Sequence, residues 1–282
     1  MNRQMFFPSQ PDLTTSTSYY REFRPQNFTN RQDIAVYYEF TVKALHCNEH
    51  DTITLIPDGC FDILFYLDEN HPQAYLWTTP YSRKEQKFLH PQGSYFGVRF
   101  WPEQTSILFK EHMQELVEQV IPLNQLLVFD EAIYDKLLNA QNLQQRIHIF
   151  DQFLQHIKQQ ALHETLIVKY VTNQLYESYG CCSLKVVSES AGYSQQYIRR
   201  VFERFIGFSP KQFAQVIQLQ RTLLQIESQK VKDLQDLTFE AGYYDQAHFI
   251  KNFKKFMHTT PKRYIRQKDG RLLENDEFTH HK

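Results

Sequence analysis

One step of the sequence occurs twice, fifty residues apart, and it constrains the fold more than any other feature. The letters AGY open each copy, and each copy leads into a run whose apolar residues have helical spacing. Because glycine adopts a positive φ without a steric penalty, Gly192 and Gly242 predict tight turns between helices. Ser194 and Asp245 then predict the N-caps of the helices that follow. The sequence therefore predicts a helix, a turn and a helix, twice.

The helices after the two turns are predicted over 195–206 and 246–257, and each has one apolar face. A shorter amphipathic stretch precedes each turn and completes the unit, with Ser183 as the N-cap of the first. The side chains expected to face inward are Ile198, Val201, Phe202 and Phe205 in the first helix, and Phe249, Phe253 and Phe256 in the second.

The outward faces of these helices carry side chains suited to DNA. Glutamine and arginine form paired hydrogen bonds with adenine and guanine edges, alanine and isoleucine contact the thymine methyl group, and lysine binds phosphates. The candidate DNA-binding residues are Gln195, Gln196, Arg199, Arg200 and Arg204 in the first helix, and Gln246, Ala247, Ile250, Lys251, Lys254 and Lys255 in the second. A merely solvated face explains one such helix equally well, but its duplication favours DNA.

Charge is distributed unevenly along the chain. Residues 161–268 contain 16 Lys and Arg against 9 Asp and Glu, a net charge of +7. Residues 1–160 contain 13 against 19, a net charge of −6. The overall charge of −1 therefore conceals a basic C-terminal segment, which is typical of a protein that binds a polyanion.

The C-terminal half resembles the AraC/XylS-type bacterial transcription regulators over about residues 164–267. The resemblance lies in AGYYDQAHFIKNFKKFMHTTPKRY at 241–264 and in GFSPKQF at 207–213, whose pattern TTPKRY repeats. It implies seven helices, in which one long helix over about 210–227 joins two helix-turn-helix units. The base-contacting positions that it implies are Gln196, Arg199, Arg200, Gln246, Ala247, Ile250 and Lys251.

This sequence departs from the family pattern at one position in each unit. Ser188 and Thr238 stand where the family commonly has a small alanine in the first helix of the unit. Either hydroxyl can bond back to the backbone of its own helix, so the departure concerns packing rather than the fold.

The first half is predicted to consist of strands followed by helices. Residues 34–43 and 61–67 are rich in β-branched and aromatic side chains, and PDG at 57–59 predicts a turn between them. LIPDGCFDILFYL and YFGVRFWP also resemble the amino-terminal domain of one branch of the same family, which implies sensing or oligomerisation. The predicted class is α+β with two domains: a β-rich, barrel-like N-terminal domain with trailing helices and an all-α C-terminal domain with two helix-turn-helix units.

We predict a sensing or dimerisation domain over 1–160, a DNA-binding domain over 161–267 and a polar tail over 268–282. The chain contains no apolar stretch of about 20 residues that would span a membrane, and its N-terminus has no signal-peptide core. The four cysteines form no C-x-x-C pattern. These features predict a cytoplasmic protein.

Several side chains of the first half invite a metal or ligand interpretation. The candidate zinc ligands would be His46, Cys47, His50 and Cys60. Their spacing matches no closed zinc site, so we predict no metal and no cofactor. Arg99 alternates with apolar residues of a strand, which suits either an anion site or, more commonly, an ion pair with a carboxylate of the same domain. No nucleophile and base can be paired from the sequence, which predicts that the protein is not an enzyme.

Apolar residues recur at alternating spacings of four and three in the glutamine-rich segment 139–160. This seam contains Leu143, Ile147, Phe150, Leu154 and Ile157. It suits either packing on the sheet of its own domain or homodimerisation through the helix.

The function that these features predict is sequence-specific DNA binding by a transcription regulator at promoters. The predicted partners are double-stranded DNA, RNA polymerase, a small-molecule effector and a second copy of the chain. One alternative is a DNA-repair alkyl-transfer enzyme with the same double motif, but the four-cysteine zinc cluster of such proteins is missing. The other is a protein-interaction module whose basic helices bind an acidic partner.

Overall fold

The computed structural model describes residues 8, 10, 17–25, 32–42, 52–87, 90, 93–228 and 234–268. Its strands are β1 Thr17–Phe23, β2 Ile34–Val42, β3 Thr52–Leu55, β4 Phe61–Leu67, β5 Gln73–Thr78, β6 Lys84–Lys87, β7 Ser94–Phe100 and β8 Val120–Pro122. They form an antiparallel six-stranded sheet in the order β1-β2-β7-β4-β5-β8 and a separate β3–β6 ribbon. The β-rich first half is confirmed, but the hydrogen bonds between the described strands form an open sheet rather than a closed barrel.

Both faces of the large sheet are buried, which explains why its strands are apolar almost throughout. On one face Tyr37 and Phe65 pack against the helices that follow the sheet. On the other face Tyr38 and Tyr66 pack with side chains of the β3–β6 ribbon. The alternation of side chains along each strand thus feeds two separate layers of core.

The predicted turn before β4 is confirmed. Gly59 has a φ of +74°, a region that side-chain-bearing residues rarely adopt. The Oδ1 atom of Asp58 accepts a hydrogen bond from the backbone N–H of Cys60 at 2.9 Å, as expected of a turn residue.

The first half ends in helices that cover the sheet. They are α1 Met113–Leu116, α2 Ala132–Leu138 and α3 Leu143–Ile157, with a 3-10 turn at Leu123–Gln125. Helix α3 contains the predicted seam, and its residues Leu143, Ile147, Phe150 and Leu154 are buried in the core beneath the sheet. Packing on the sheet of its own domain is therefore confirmed. Dimerisation through this seam is wrong, because these side chains are already covered within one subunit.

The second half is helical. Its helices are α4 His163–Glu177, α5 Leu184–Ala191, α6 Gln195–Ile206, α7 Pro210–Glu227, α8 Leu234–Glu240, α9 Gln246–Met257 and α10 Pro261–Lys268. The seven implied helices are thus present among the described residues, and the long connecting helix has the expected bounds. Helix α7 begins with Pro210 and a reciprocal capping box between Ser209 and Gln212, which fixes where it starts.

The two halves share part of their core. Trp101 and Val117 of the first half belong to the same buried cluster as Phe202, Phe213 and other apolar residues of the helical half. No described helix is long and apolar enough to cross a membrane.

Candidate nucleic-acid interface

The two predicted turns and their caps are confirmed. Gly192 has a φ of +76° and Gly242 a φ of +81°. The side chain of Ser194 accepts a hydrogen bond from the N–H of Tyr197 at 3.2 Å, and that of Asp245 from the N–H of His248 at 2.8 Å. Helices α6 and α9 therefore begin at matching positions, two or three residues after a left-handed glycine.

The inward faces of the two helices are close to the prediction. All the predicted inward residues are buried except Phe205, which is half-buried at the edge of the core. Ser188 Oγ donates to the carbonyl of Lys185 and Thr238 Oγ1 to that of Leu234, both at 2.8 Å. These bonds satisfy the two buried hydroxyls within their own helices, as predicted for the positions where the family has alanine.

The outward face of α6 is largely as predicted. Gln195, Gln196, Arg199 and Arg200 are exposed. Arg199 Nε donates to Glu203 at 2.8 Å in a mostly exposed pair, so DNA would compete with a weak interaction. The guanidinium of Arg200 lies 5.2 Å from the ring centroid of Tyr197, which supports the side chain without occupying its donors.

Arg204 differs from the other candidates on α6. It is half-buried, and its Nη1 atom lies 3.7 Å from a carboxylate oxygen of Glu164 on α4. Because it lies at the margin of the exposed face, it is better placed for a phosphate than for a base.

The outward face of α9 needs one correction. Gln246, Ala247, Lys251, Lys254 and Lys255 are exposed. Ile250 is half-buried and packs against the core of the helical half. The helical period places it beside the outward stripe, but neighbouring helices cover part of it. Only its uncovered part is available for contact with a thymine methyl group.

Two exposed aromatic and imidazole side chains near α9 were missed in the sequence. Tyr244 is 95% exposed and directly precedes the N-cap of α9. His248 is also exposed, in the first turn of the helix. The signal was present, because the second copy of the motif has one residue more than the first between its glycine and its N-cap.

The first half contacts the C-terminal ends of both helices through the β5–β6 connection. Tyr81 donates a hydrogen bond from its hydroxyl to the carbonyl of Gly207, the C-cap of α6, at 3.2 Å. The N–H of Arg83 donates to the carbonyl of Phe256, in the last turn of α9, at 2.6 Å. Nothing in the sequence pattern of this connection indicated these contacts.

Arg99 forms ion pairs within its domain, as the more common of its two interpretations predicted. Its Nη1 atom lies 3.0 Å from Asp58 Oδ2, and its Nη2 atom lies 2.9 Å from Asp62 Oδ2. Tyr38, whose pKa burial raises well above its usual value, donates to Asp62 Oδ1 at 2.9 Å. Burial opposes the charge on Arg99, but Asp62 and Asp58 outweigh it and hold the pKa of the guanidinium well above its usual value.

The space beside this cluster is small. A cavity of about 20 Å³ lies between Arg99, Trp77 and the β3 strand, which is room for about one water molecule. The donors of Arg99 are already directed at carboxylates. The anion-binding interpretation of Arg99 therefore finds no support in its surroundings.

Most of the candidate zinc set lies outside the described residues, namely His46, Cys47 and His50. The remaining member, Cys60, is buried, and burial raises the pKa of its thiol well above the usual value. In the part of the chain that the structure describes, no three His, Cys, Asp or Glu side chains are grouped so that they could hold a metal ion.

Residues 187–267 match the family described as a helix-turn-helix domain, over both turns and both outward faces. These residues form an AraC-type helix-turn-helix domain. Residues 31–122 match a domain of unknown function, DUF6597, which agrees with the resemblance of the first half to an amino-terminal regulator domain.

Relatives of the AraC-type domain include the probable transcription factor PqrA of Proteus vulgaris. The two are 28% identical over 100 residues, which are 35% of this chain and 79% of PqrA. An uncharacterized HTH-type transcriptional regulator of Haemophilus influenzae is 30% identical over 81 residues, which are 29% of this chain but only 27% of that protein. An apo ToxT structure from Vibrio cholerae is 10% identical and covers 86% of this chain and 98% of its own, but its TM-score of 0.42 is too low to support an argument.

The AraC-type domain makes DNA binding in transcription regulation the activity that the second half supports. Its outward faces are polar and basic, and helix caps hold both recognition helices in place. An enzymatic role has no comparable support in the family matches.

Proposed function

We propose that this protein is a sequence-specific regulator that places α6 and α9 in successive major-groove segments of promoter DNA. The observation that carries the proposal is the pair of exposed, capped helices joined by the single 18-residue helix α7. Two recognition helices held in this way reach one face of a duplex about 34 Å apart, which is one helical turn. Regulation would follow from contact with RNA polymerase or its occlusion, under control of a small-molecule effector.

We further propose the division into a sensing domain over 1–160, the DNA-binding domain over 161–267 and a polar tail over 268–282. The sheet and its helices bury one set of side chains, and the seven helices bury another, which supports two folding units. The shared residues at their boundary imply that the units are packed together rather than tethered.

Selection of bound duplexes from a random pool tests the proposal, because it finds the operator and the binding mode in one experiment. We expect two short motifs whose centres are about 10–10.5 base pairs apart. A single motif would mean that only one helix reads bases. Binding that does not depend on sequence, together with tight binding to an acidic protein, would favour an interaction module instead.

Replacement of Arg200 by alanine tests base reading by α6. Among the described residues no ion pair occupies its donors, and its exposed position suits a paired contact with guanine. We expect a loss of roughly 1–3 kcal/mol on the selected duplex and a relaxed base preference at one position of one motif. Electrophoretic mobility shifts on duplexes with each base at that position measure both effects.

Lys254→Ala is the matched control, because it removes an exposed basic side chain from the last turn of α9. As a phosphate contact it should weaken binding to all sequences alike and lower the salt slope by about one. A sequence-independent loss in the Arg200 variant as well would contradict its role as a base reader.

A further inference from the structure

The connection between β5 and β6 reaches the ends of both recognition helices. At α6, the Tyr81 hydroxyl donates to the carbonyl of Gly207 at 3.2 Å, and the ring of Tyr81 packs edge-on against Phe208 with centroids 5.0 Å apart. Gly207 has a φ of +86° and ends the helix. The contact therefore joins the first half to the residue where the first recognition helix stops.

The same connection joins the first half to α9 two residues later. The N–H of Arg83 donates to the carbonyl of Phe256 at 2.6 Å. Ser82 Oγ lies 3.0 Å from Nε2 of His258, which ends α9 with a φ of +56°. Three consecutive residues thus hold equivalent ends of two helices that lie fifty-one residues apart in the sequence.

The connection is itself tied to the rest of the first half. The N–H of Thr79 donates to the carbonyl of Cys60 at 3.2 Å, and its hydroxyl oxygen accepts from the N–H of Asp58 at 3.0 Å. The N–H of Tyr81 donates to Glu118 Oε1 at 3.0 Å. Because these bonds involve the backbone on both sides, the connection moves with the sheet and not independently of it.

A third point of attachment lies on α7, between the two recognition helices. The carbonyl of Pro57 accepts a hydrogen bond from Gln220 Nε2 at 2.8 Å, and this side chain is buried. The next turn residue, Gly59, lies against the ring of Phe213. Thr79 holds this same turn, so the contacts to α6, α7 and α9 all come from one hydrogen-bonded part of the first half.

We propose that residues 79–83 are a positioning clamp that sets the separation and angle of the two recognition helices, and hence the spacing of half-sites that the protein accepts. The inference rests on the proposed function and adds its spacing specificity. An unsupported helix bends, so α7 alone leaves the two units some freedom to move relative to one another. Attachment of both helix ends to one rigid connection removes that freedom.

The double variant Tyr81→Phe/Ser82→Ala tests the clamp. It removes both side-chain hydrogen bonds and keeps the ring that packs on Phe208. Affinity is measured on the selected duplex and on duplexes with one base pair added or removed between the motifs. We expect the wild type to lose at least about tenfold on the altered spacings, and the variant to lose about threefold or less.

The matched control is Tyr20→Phe/Ser18→Ala, which removes one tyrosine and one serine hydroxyl from edge strand β1. It should keep the wild-type spacing preference. Affinity for a duplex with a single motif should be the same in all three proteins, because a general loss of stability would lower it and a change in spacing alone would not. The single variants Tyr81→Phe and Ser82→Ala give intermediate spacing profiles and serve if the double variant does not fold.

The outcomes separate the two proposals. A bipartite site for the wild type, with the same narrow spacing preference in the clamp variants, would overturn the clamp and leave the proposed function intact. Selection of a single motif by the wild type would overturn the proposed function, and the clamp with it.

Discussion

Replacement of Arg99 by methionine is expected to lower the free energy of unfolding by about 3–5 kcal/mol. The substitution removes the positive charge that lies 2.9–3.0 Å from two buried carboxylates and leaves Asp58 and Asp62 without it. Carboxylates without that charge can neither reach water nor pair in an apolar layer, so their desolvation is no longer offset. Urea titration followed by tryptophan fluorescence measures the loss, because Trp77 and Trp101 both lie in the first half and are buried there.

Arg199→Met is the matched control. It removes an arginine from an ion pair in which the Arg199 side chain is 65% exposed, so the loss should stay below about 1 kcal/mol. A triple change of Arg99, Asp58 and Asp62 to apolar residues of similar size should recover much of the stability of Arg99→Met. Equal midpoints for Arg99→Met and Arg199→Met would contradict the role given to the buried cluster.

Insertion of about five base pairs between the two motifs is expected to reduce affinity to that of a single motif, by roughly 3 kcal/mol or about a hundredfold in Kd. Half a helical turn places the second motif on the far side of the duplex. Helix α7, whose two ends are capped and packed, cannot turn α9 to follow it. Fluorescence anisotropy with labelled duplexes measures the difference.

An insertion of about ten base pairs is the informative control. It restores the face of the duplex but moves the second motif one turn further away, so a rigid protein should bind it no better than the five-base-pair insertion. Recovery of affinity at ten base pairs would mean that the two units are flexibly joined. Unchanged affinity with five would mean that only one motif is read.

The helix-turn-helix units could be predicted because their determinants are local. A left-handed glycine, a capping side chain two or three residues later and a helical apolar period lie within one short segment. The structure confirms Gly192, Ser194 and Asp245 in these roles. The hydroxyls of Ser188 and Thr238 are satisfied within one helical turn, so their bonds were predictable too.

Features that depend on distant parts of the chain could not be predicted in the same way. Ile250 lies on the outward stripe by period, but contacts with other helices bury part of it. Tyr81 and Ser82 look like ordinary turn residues, and their partners lie 126 and 176 residues away. The seam of α3 had the spacing of a helix partner, and only the position of the sheet decides which surface it meets.

Gly59 has a consequence for how such a protein can evolve. The residue needs a positive φ for its turn, and a Cβ placed on it would lie 2.5 Å from Cε2 of Phe213 on α7. Two unrelated requirements, one from each half of the chain, therefore fall on a single position. Exchange of the helical half for that of another regulator would succeed only where the incoming helix meets this turn with a similarly shaped surface, so the two halves must accumulate substitutions together rather than as interchangeable modules.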